Sequence, residues 1–378
     1  MSHSPEKLLR ELIALPSVNP ALLPVNLPRA GERNVAQFLA AQAARAGLDV
    51  ELPEVFPGRP NMIARLIPCG KIIQRILLAP HTDTVGVTDD RQFTPVTRNG
   101  RIHGRGACDT KGSVAAMFSA LLTLANSSTR PASTEIVFCG LVDEEVGQGG
   151  SRFLVRRRFK ADLAIVGEPT RCQIVTAHKG DLWLQLETRG KAAHGATPHL
   201  GKNAVHAMAK IVDVLETRYA QELRKHRHPL LGPATINVGS IAGGRQPNIV
   251  PDHCSIQIDR RTLPGETDAK VKRDIVSFLR RHQLIATMAN TKGAAPARPM
   301  ETDVRLPLVR KFMKATAQRR PRGADFFTDA GVLSSGGIPS VVFGPGDIAQ
   351  AHTVDEWVAV EELRCATELL AKFLRSLD

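Results

Sequence analysis

Aromatic side chains are scarce in this chain, which contains one Tyr and two Trp in an aromatic fraction of 4%. Proteins that bind single-stranded nucleic acid stack bases on exposed aromatic rings, so this scarcity argues against that class. A net charge of +13 would by itself allow a nucleic-acid partner. However, the basic residues are scattered or confined to short runs such as 156–158 and 224–227. Solvated helical faces explain that pattern more simply, so we expect no nucleic-acid partner.

The chain also lacks paired cysteines and long apolar runs. Its six cysteines show no CxxC spacing, and several lie in apolar strand-like runs, as expected of reduced, mostly buried thiols. The N-terminal residues contain no apolar segment with a cleavage site. No run approaches the length that would cross a bilayer. These observations predict a cytoplasmic protein with no membrane partner.

Length and element order predict two domains. The first part alternates helices with apolar strands, for example a helix at 33–46 and a strand at 72–79, and predicts a mostly parallel α/β sheet flanked by helices. The middle follows the ferredoxin-like order β-α-β-β-α-β. The first pattern then returns. We therefore expect an α/β domain formed by 1–179 and 292–378, interrupted by an inserted α+β domain at 180–291.

Histidine and acidic side chains occur where predicted strands end or helices begin. His81 directly follows the apolar strand that ends at Pro80, where open α/β sheets place their sites, and Asp83 could fix the histidine ring. A structural histidine is the simpler interpretation of this pair by itself. Asp109 lies among glycines at the entrance to a helix, where it could equally serve as an N-cap.

Further carboxylates follow two other apolar strands. Asp143, Glu144 and Glu145 are consecutive, and burying three carboxylates is costly unless cations neutralise them. A solvated turn is the alternative interpretation. Glu168 follows another apolar strand, and His352 comes shortly after a Gly-Pro-Gly sequence.

Taken together, these segments supply nitrogen and oxygen ligands of the kind that suits zinc. The five candidate ligands are His81, Asp109, Glu145, Glu168 and His352. Two Zn²⁺ ions would be balanced by the three carboxylates of this set and one bridging hydroxide. Glu144 then remains for proton transfer.

Five motifs resemble those of the M20 metallopeptidases in order and rough spacing: HTDTV, GRGACDTKG, DEEVG, GEPT and AHTVDEW. This family includes acetylornithine deacetylases, succinyl-diaminopimelate desuccinylases, aminoacylases and glutamate carboxypeptidases. The resemblance covers nearly the whole chain. It implies a hydrolase with two Zn²⁺ per chain, for which Co²⁺ may substitute, and an inserted domain that forms a homodimer.

The resemblance also implies a role for each matching metal-site position. Asp109 would bridge the two ions. His81 and Glu168 would complete the ligands of one ion. Glu145 and His352 would complete those of the other.

The resemblance also implies roles for two further acidic residues and the conformation of one peptide bond. Glu144 matches the family's general base, and Asp83 matches a carboxylate that supports the ligands. The bond between Asp109 and Thr110 is expected to be cis. Thr110 departs from the more frequent methionine, at a position that supplies no ligand.

The inserted domain contains three candidate substrate-binding residues. His194 matches a histidine that reaches the partner subunit's site, Asn248 matches a substrate-binding asparagine, and Arg261 matches an arginine that grips a substrate carboxylate. An arginine suits that task because its planar fork makes two parallel hydrogen bonds. A surface position for His194 and a solvated strand end for Arg261 are the alternatives.

The C-terminal sequence, with Gly-Pro-Gly ahead of AHTVDE, resembles acetylornithine deacetylases and related N-acyl amino acid deacylases. We therefore expect a small N-acylated amino acid or peptide as substrate, with acetylornithine first. Succinyl-diaminopimelate desuccinylase and carboxypeptidase or dipeptidase activities are the alternatives. A non-catalytic protein that binds a small molecule or nucleic acid is the alternative from another class.

Overall fold

A computed structural model describes residues 4–23, 30–127, 130–291 and 296–378. The α-helices among them are α1 (Pro5–Ile13), α2 (Arg33–Arg45), α3 (Lys111–Ala125), α4 (Gly149–Arg156), α5 (Ala204–Val214), α6 (Ala220–Arg224), α7 (Asp268–Arg281), α8 (Pro307–Ala315), α9 (Asp329–Ser335) and α10 (Val360–Arg375). A π-helical segment at Leu215–Tyr219 joins α5 to α6. No helix in the described ranges is both long and apolar enough to cross a membrane.

The strands of the described residues are mostly short. They are β1 (Asp49–Glu51), β2 (Glu54–Phe56), β3 (Arg59–Pro60), β4 (Met62–Leu66), β5 (Gln74–Pro80), β6 (Val96–Arg98), β7 (Arg101–His103), β8 (Thr134–Gly140), β9 (Leu163–Gly167), β10 (Val175–His178), β11 (Gly180–Arg189), β12 (Arg227–His228), β13 (Gly232–Pro233), β14 (Thr235–Gly243), β15 (His253–Thr262), β16 (Thr287–Asn290), β17 (Met300–Glu301), β18 (Arg322–Ala324), β19 (Ser340–Val342) and β20 (Trp357–Ala359).

The chain forms two compact units. The first unit comprises Met1–Thr176, Glu301–Arg322 and Thr328–Asp378, and the second comprises Ala177–Met300 and Gly323–Phe327. The second unit thus begins a few residues before the predicted start at 180 and also takes in a short later segment. The other predicted boundary, at 292, lies outside the described residues.

The main sheet lies mostly in the first unit and has the order β1-β4-β8-β5-β9-β19-β10-β17, with β18 paired to β10. The central strands β8, β5, β9 and β19 run parallel, whereas β1, β4 and β10 pair antiparallel. Strands β8 and β9 are buried along their whole length, as expected of strands covered by helices on both faces. The predicted α/β fold with a mostly parallel sheet is confirmed.

Helix α3 lies at the centre of the first unit's core and is buried almost throughout. It packs against α1 and α10. Helix α10 is absent from the predicted elements, although Leu363, Ala366 and Leu370 recur at helical spacing and are buried. Its Phe373 packs against Phe312 of α8, with ring centroids 4.8 Å apart.

The second unit contains an antiparallel sheet with the order β14-β15-β11-β16. The chain order β11-α5-β14-β15-α7-β16 is the predicted ferredoxin-like arrangement. Alternate residues Leu182, Leu184 and Leu186 of β11 are buried against the helices, whereas Trp183 between them is 48% exposed. Strand β14 is an edge strand and is largely exposed.

Candidate metal centre

Three neighbouring parallel strands bring candidate ligands to one edge of the sheet. His81 follows β5, Glu144 and Glu145 follow β8, and Glu168 follows β9. Because the carboxyl ends of parallel strands meet at the same edge, residues far apart in sequence converge there. One ligand atom from each of His81, Glu144 and Glu168 lies within 4.8 Å of the others, and the same holds for His81, Asp109 and Glu145.

Asp109 lies between the two histidines. Its Oδ1 is 3.0 Å from His81 Nε2, and its Oδ2 is 3.3 Å from His352 Nε2. His81 Nε2 is also 3.9 Å from Glu168 Oε1, and His352 Nε2 is 3.1 Å from Glu145 Oε2. One oxygen of Asp109 therefore faces His81, which has Glu168 beside it, and the other faces His352, which has Glu145 beside it. A ligand that bridges two ions requires this arrangement. The peptide between Asp109 and Thr110 is cis, as expected.

Asp83 holds both His81 and the Glu144–Glu145 backbone. Its Oδ1 accepts a hydrogen bond from the amide of Glu144 at 3.0 Å, and its Oδ2 accepts one from the amide of Glu145 at 3.2 Å. The Nδ1 of His81 lies 3.0 Å from the Asp83 carbonyl oxygen and 3.4 Å from Oδ1. Asp83 thus fixes both the His81 ring and the backbone of Glu144 and Glu145. Its position two residues after His81 had indicated only the contact with the ring.

A buried polar network that the sequence analysis missed supports Asp83. The side-chain amide of Asn19 donates to Asp83 at 2.8 Å and to Asp143 at 3.0 Å. Arg59 donates twice to Glu32, at 2.7 and 2.6 Å, and lies 3.2 Å from Asp143. These contacts join residues up to 124 positions apart, so no local pattern could have identified them.

Asp329 is a further buried acidic residue near the site, and the sequence analysis did not identify it. It lies at the start of α9, is 1% exposed, and accepts a hydrogen bond from the Ser151 hydroxyl. Burial raises its pKa to about 7, and its charge contributes to raising the pKa of Glu144 and Glu168. It therefore belongs to the electrostatic environment of the candidate centre.

Burial raises the pKa of the carboxylates in this cluster. The pKa of Glu144 lies well above its ordinary value because of burial and the negative charge of Glu168. The pKa of Glu168 is raised in the same way, and burial together with the charge of Asp109 raises that of Glu145 to about 7. Such raised pKa values indicate that too little positive charge lies near these carboxylates to stabilise their ionised forms.

The pKa values of the two histidines are raised as well, because carboxylates surround both rings. Burial alone would raise the pKa of Asp109, but hydrogen bonds with His352 and His81 hold it below its ordinary value. Hydrogen bonds with Asp109 and Glu145 raise the pKa of His352 to about 10. Each histidine therefore lies beside carboxylates that favour its positively charged form.

The cluster fits a pair of divalent cations. Glu145 Oε1 is buried and has no hydrogen-bond partner among the described residues. The donor atoms are imidazole nitrogens and carboxylate oxygens, which suit zinc. The side chain of His352 is 56% exposed, so the centre is open on one side, as catalytic metal sites are.

The three candidate substrate residues lie in the second unit. The structure brings His194 and Asn248 together, because the amide of Gly195 donates to the Asn248 carbonyl at 2.7 Å, and both side chains are exposed. Arg261 makes two hydrogen bonds to Asp259, at 2.9 and 2.8 Å, and lies 3.4 Å from Asp181. The Arg261 side chain is thus already paired, a feature that its motif did not reveal.

Comparison with known proteins identifies the family. Residues 77–376 match peptidase family M20/M25/M40. The chain belongs to this family. It is 32% identical to an acetylornithine deacetylase from Myxococcus xanthus, over 88% of this chain and 89% of that protein.

Two further comparisons show how widely related proteins differ. The chain is 27% identical to an N-formyl-4-amino-5-aminomethyl-2-methylpyrimidine deformylase from Halalkalibacterium halodurans, over 97% of this chain and 92% of that protein. A dinuclear metal-binding M20 peptidase from Bacillus subtilis has the same fold, with a TM-score of 0.71 at 13% identity, over 99% of this chain and 98% of that one. The protein is therefore an M20-type metallopeptidase or amidohydrolase.

Proposed function

We propose that this M20 hydrolase cleaves the amide bond of a small N-acylated amino acid, with N-acetylornithine as the first candidate. The observation that carries metal-dependent hydrolysis is the Asp109 carboxylate between His81 and His352, with Glu144 close to His81 and Glu168. The likeness to an acetylornithine deacetylase supports the choice of acyl substrate. A desuccinylase, or a carboxypeptidase or dipeptidase, is the alternative within the family.

The proposed metal ligands follow the distances in the first unit. His81 and Glu168 would hold one Zn²⁺, Glu145 and His352 would hold the other, and Asp109 would bridge them. Co²⁺ could substitute, because it accepts the same nitrogen and oxygen ligands. What two bound ions supply is polarisation of the scissile carbonyl and a lower pKa for the attacking water.

The remaining residues of the site would orient groups and move protons. We assign Glu144 as the general base, because it lies beside His81 and Glu168 without being needed as a ligand. It would take a proton from the attacking water and pass it to the departing amine. Asp83 would hold Glu144 in place through its hydrogen bond to the Glu144 amide.

The second unit is proposed to bind the substrate and to form a homodimer. The exposed edge strand β14 can pair with a second copy, since its outer backbone groups have no strand beside them among the described residues. His194 would serve the partner's site, and Asn248 would contact the substrate. Arg261 would have to exchange its bonds to Asp259 for a substrate carboxylate.

A hydrolysis screen tests the proposal. Metal-free protein is loaded with Zn²⁺ or Co²⁺ and offered N-acetyl, N-succinyl and N-formyl amino acids and dipeptides, with release of the free amine as readout. The fastest turnover is expected for N-acetylornithine. A preference for N-succinyl substrates would favour a desuccinylase, and a preference for dipeptides would favour a carboxypeptidase or dipeptidase. If fully metallated protein turns over none of these substrates, the proposed hydrolase activity is contradicted.

A further inference from the structure

Glu356 is buried within the candidate site, yet neither the sequence motifs nor the comparisons assign it a role. It is 2% exposed and directly precedes β20. Its Oε1 accepts hydrogen bonds from the amides of Cys108 and Asp109, at 2.8 and 2.9 Å. Its Oε2 accepts one from the amide of Gly106 at 3.0 Å and one from Arg105 Nη1 at 2.6 Å. Each carboxylate oxygen therefore has two donors.

Strand pairing delivers Glu356 to this position. Strand β20 pairs antiparallel with β7, so that Trp357 faces His103, and the amide of Gly104 donates to the Glu356 carbonyl at 3.0 Å. The chain then winds around the carboxylate from Arg105 to Asp109. Gly106 allows this course, because it has a φ of +81°, and a Cβ there would lie 2.9 Å from the Lys111 side chain.

The far end of the same segment is also fixed. The Thr110 hydroxyl donates to the Gly167 carbonyl at 2.9 Å, one residue before Glu168. Glu356 and Gly167 thus hold Asp109 from its two sides. A bridging carboxylate must present both oxygens at once, so a small rotation of its backbone would disengage one of them.

We propose that Glu356 is a positioning residue that fixes the Asp109 loop so that Asp109 can bridge two metal ions. This inference rests on the proposed binuclear centre. Both oxygens of Glu356 already accept hydrogen bonds from protein donors, so its proposed role is to position Asp109 and not to bind an ion or substrate. Its carboxylate acts as an internal anion that gathers three backbone N–H groups and one guanidinium. Because His352 lies only four residues earlier, the same residue also ties the His352 loop to the Asp109 loop.

Glu356→Gln tests the role with minimal change of shape. The amide of the glutamine has only one acceptor oxygen. In either orientation its NH₂ group would therefore face two of the N–H donors that the Glu356 carboxylate accepts from, and those two hydrogen bonds would be lost. Metal-free protein is titrated with Zn²⁺ against a competing chelator, and the absorption spectrum of Co²⁺-loaded protein is recorded. Groups that support metal ligands typically contribute about 10–100-fold to metal affinity, and we expect a loss of that size together with an altered Co²⁺ spectrum.

Two further variants separate positioning from folding. Glu356→Asp keeps the charge but is one methylene shorter, so it cannot span all four donors, and we expect a smaller loss of affinity. Asp355→Asn is the matched control, because it removes one charge from the neighbouring residue, whose side chain is 69% exposed. Thermal unfolding of each metal-free variant verifies that it is folded at the assay temperature.

The outcomes distinguish this inference from the proposed function. Wild-type protein that binds fewer than two ions would contradict the binuclear centre and this inference with it. Two ions in wild type, with affinity and Co²⁺ spectrum unchanged in Glu356→Gln, would contradict the positioning role alone. If Glu356→Gln does not fold, an unchanged Glu356→Asp variant would contradict it equally. Equal losses in Asp355→Asn would also overturn it, since charge alone would then explain the effect.

Discussion

At the scale of single residues, Glu144 and Glu145 are adjacent but have different neighbours. Glu144 lies beside His81 and Glu168, whereas Glu145 Oε2 is 3.1 Å from His352 Nε2. Both amides are held by Asp83, which fixes the backbone of the pair while the side chains diverge. Sequence adjacency by itself did not distinguish a base from a ligand, and the assignment of Glu144 as the base stays a proposal.

The first prediction concerns this division. Glu144→Gln should retain both ions and lower kcat by about 10²–10⁴-fold, because it removes a positioned proton acceptor. Glu145→Gln should instead weaken binding of one ion, with activity partly restored at high Zn²⁺. Bound metal and kcat are measured for both variants side by side. Loss of metal only in Glu144→Gln would reverse the two roles.

The second prediction concerns His178, a buried histidine of the second unit. Its Nδ1 lies 2.8 Å from the Lys179 carbonyl oxygen, and its Nε2 has no hydrogen-bond partner in the part of the chain that the structure describes. Burial lowers its pKa to about 4. The unfolded chain takes up this proton near pH 6.5. The free energy of unfolding is therefore unaffected by His178 above pH 6.5. It falls by up to about 3 kcal/mol as the pH is lowered from 6.5 towards 4, because the unfolded state takes up the proton first.

Denaturant unfolding between pH 7.5 and 4.5 measures this loss. Trp183 lies in the second unit and Trp357 in the first, so a Trp357→Phe background lets fluorescence report the second unit. His178→Leu should flatten the decline at low pH, whatever its effect at neutral pH. His206→Leu, at an exposed position on α5, is the control and should leave the decline unchanged. An equally steep decline in His178→Leu would refute this cause.

At the scale of elements, three phenylalanines join α8, β19 and α10. Phe312 is fully buried, and its ring centroid lies 5.2 Å from that of Phe343, just after β19, and 4.8 Å from that of Phe373. Phe312 lies in α8, and Phe343 directly follows β19. Their contact with α10 depends on three segments separated in sequence.

The third prediction follows from this cluster. Phe312→Ala should destabilise the first unit by about 3–5 kcal/mol, because it removes apolar contacts and leaves a cavity that rigid neighbours fill only partly. Chemical denaturation of metal-free protein provides the measurement. Ile73→Ala is the control, since this side chain is 72% exposed, and it should change stability by less than about 0.5 kcal/mol. Similar losses in both variants would contradict the packing argument.

At the scale of the whole molecule, the proposed assembly makes each active site depend on two chains. The fourth prediction is that mixing inactive His194→Ala with inactive Glu144→Ala protein restores part of the activity, because a mixed dimer contains one complete site. Activity is measured after subunit exchange has been verified with differently tagged chains. No recovery despite exchange would mean that His194 acts within its own chain or has no role in catalysis.

The sequence by itself determined the family, the α/β and ferredoxin-like units and the set of candidate ligands. The family followed from the resemblance of five motifs. The units and the ligand set could be predicted because strands and helices have characteristic periods, and because parallel strands present their carboxyl ends at one edge. His81, Glu145 and Glu168 could therefore be grouped before any distance was known.

Only the tertiary structure decided what supports those ligands. Glu356 meets Asp109 across 247 positions, and Asn19 meets Asp143 across 124. Arg261 is paired with Asp259 and Asp181 rather than free. Hydrogen bonds of this kind act over about 3 Å in space, whatever the separation in sequence. Their partners are therefore fixed by how the strands and loops are brought together, which no local pattern of residues records.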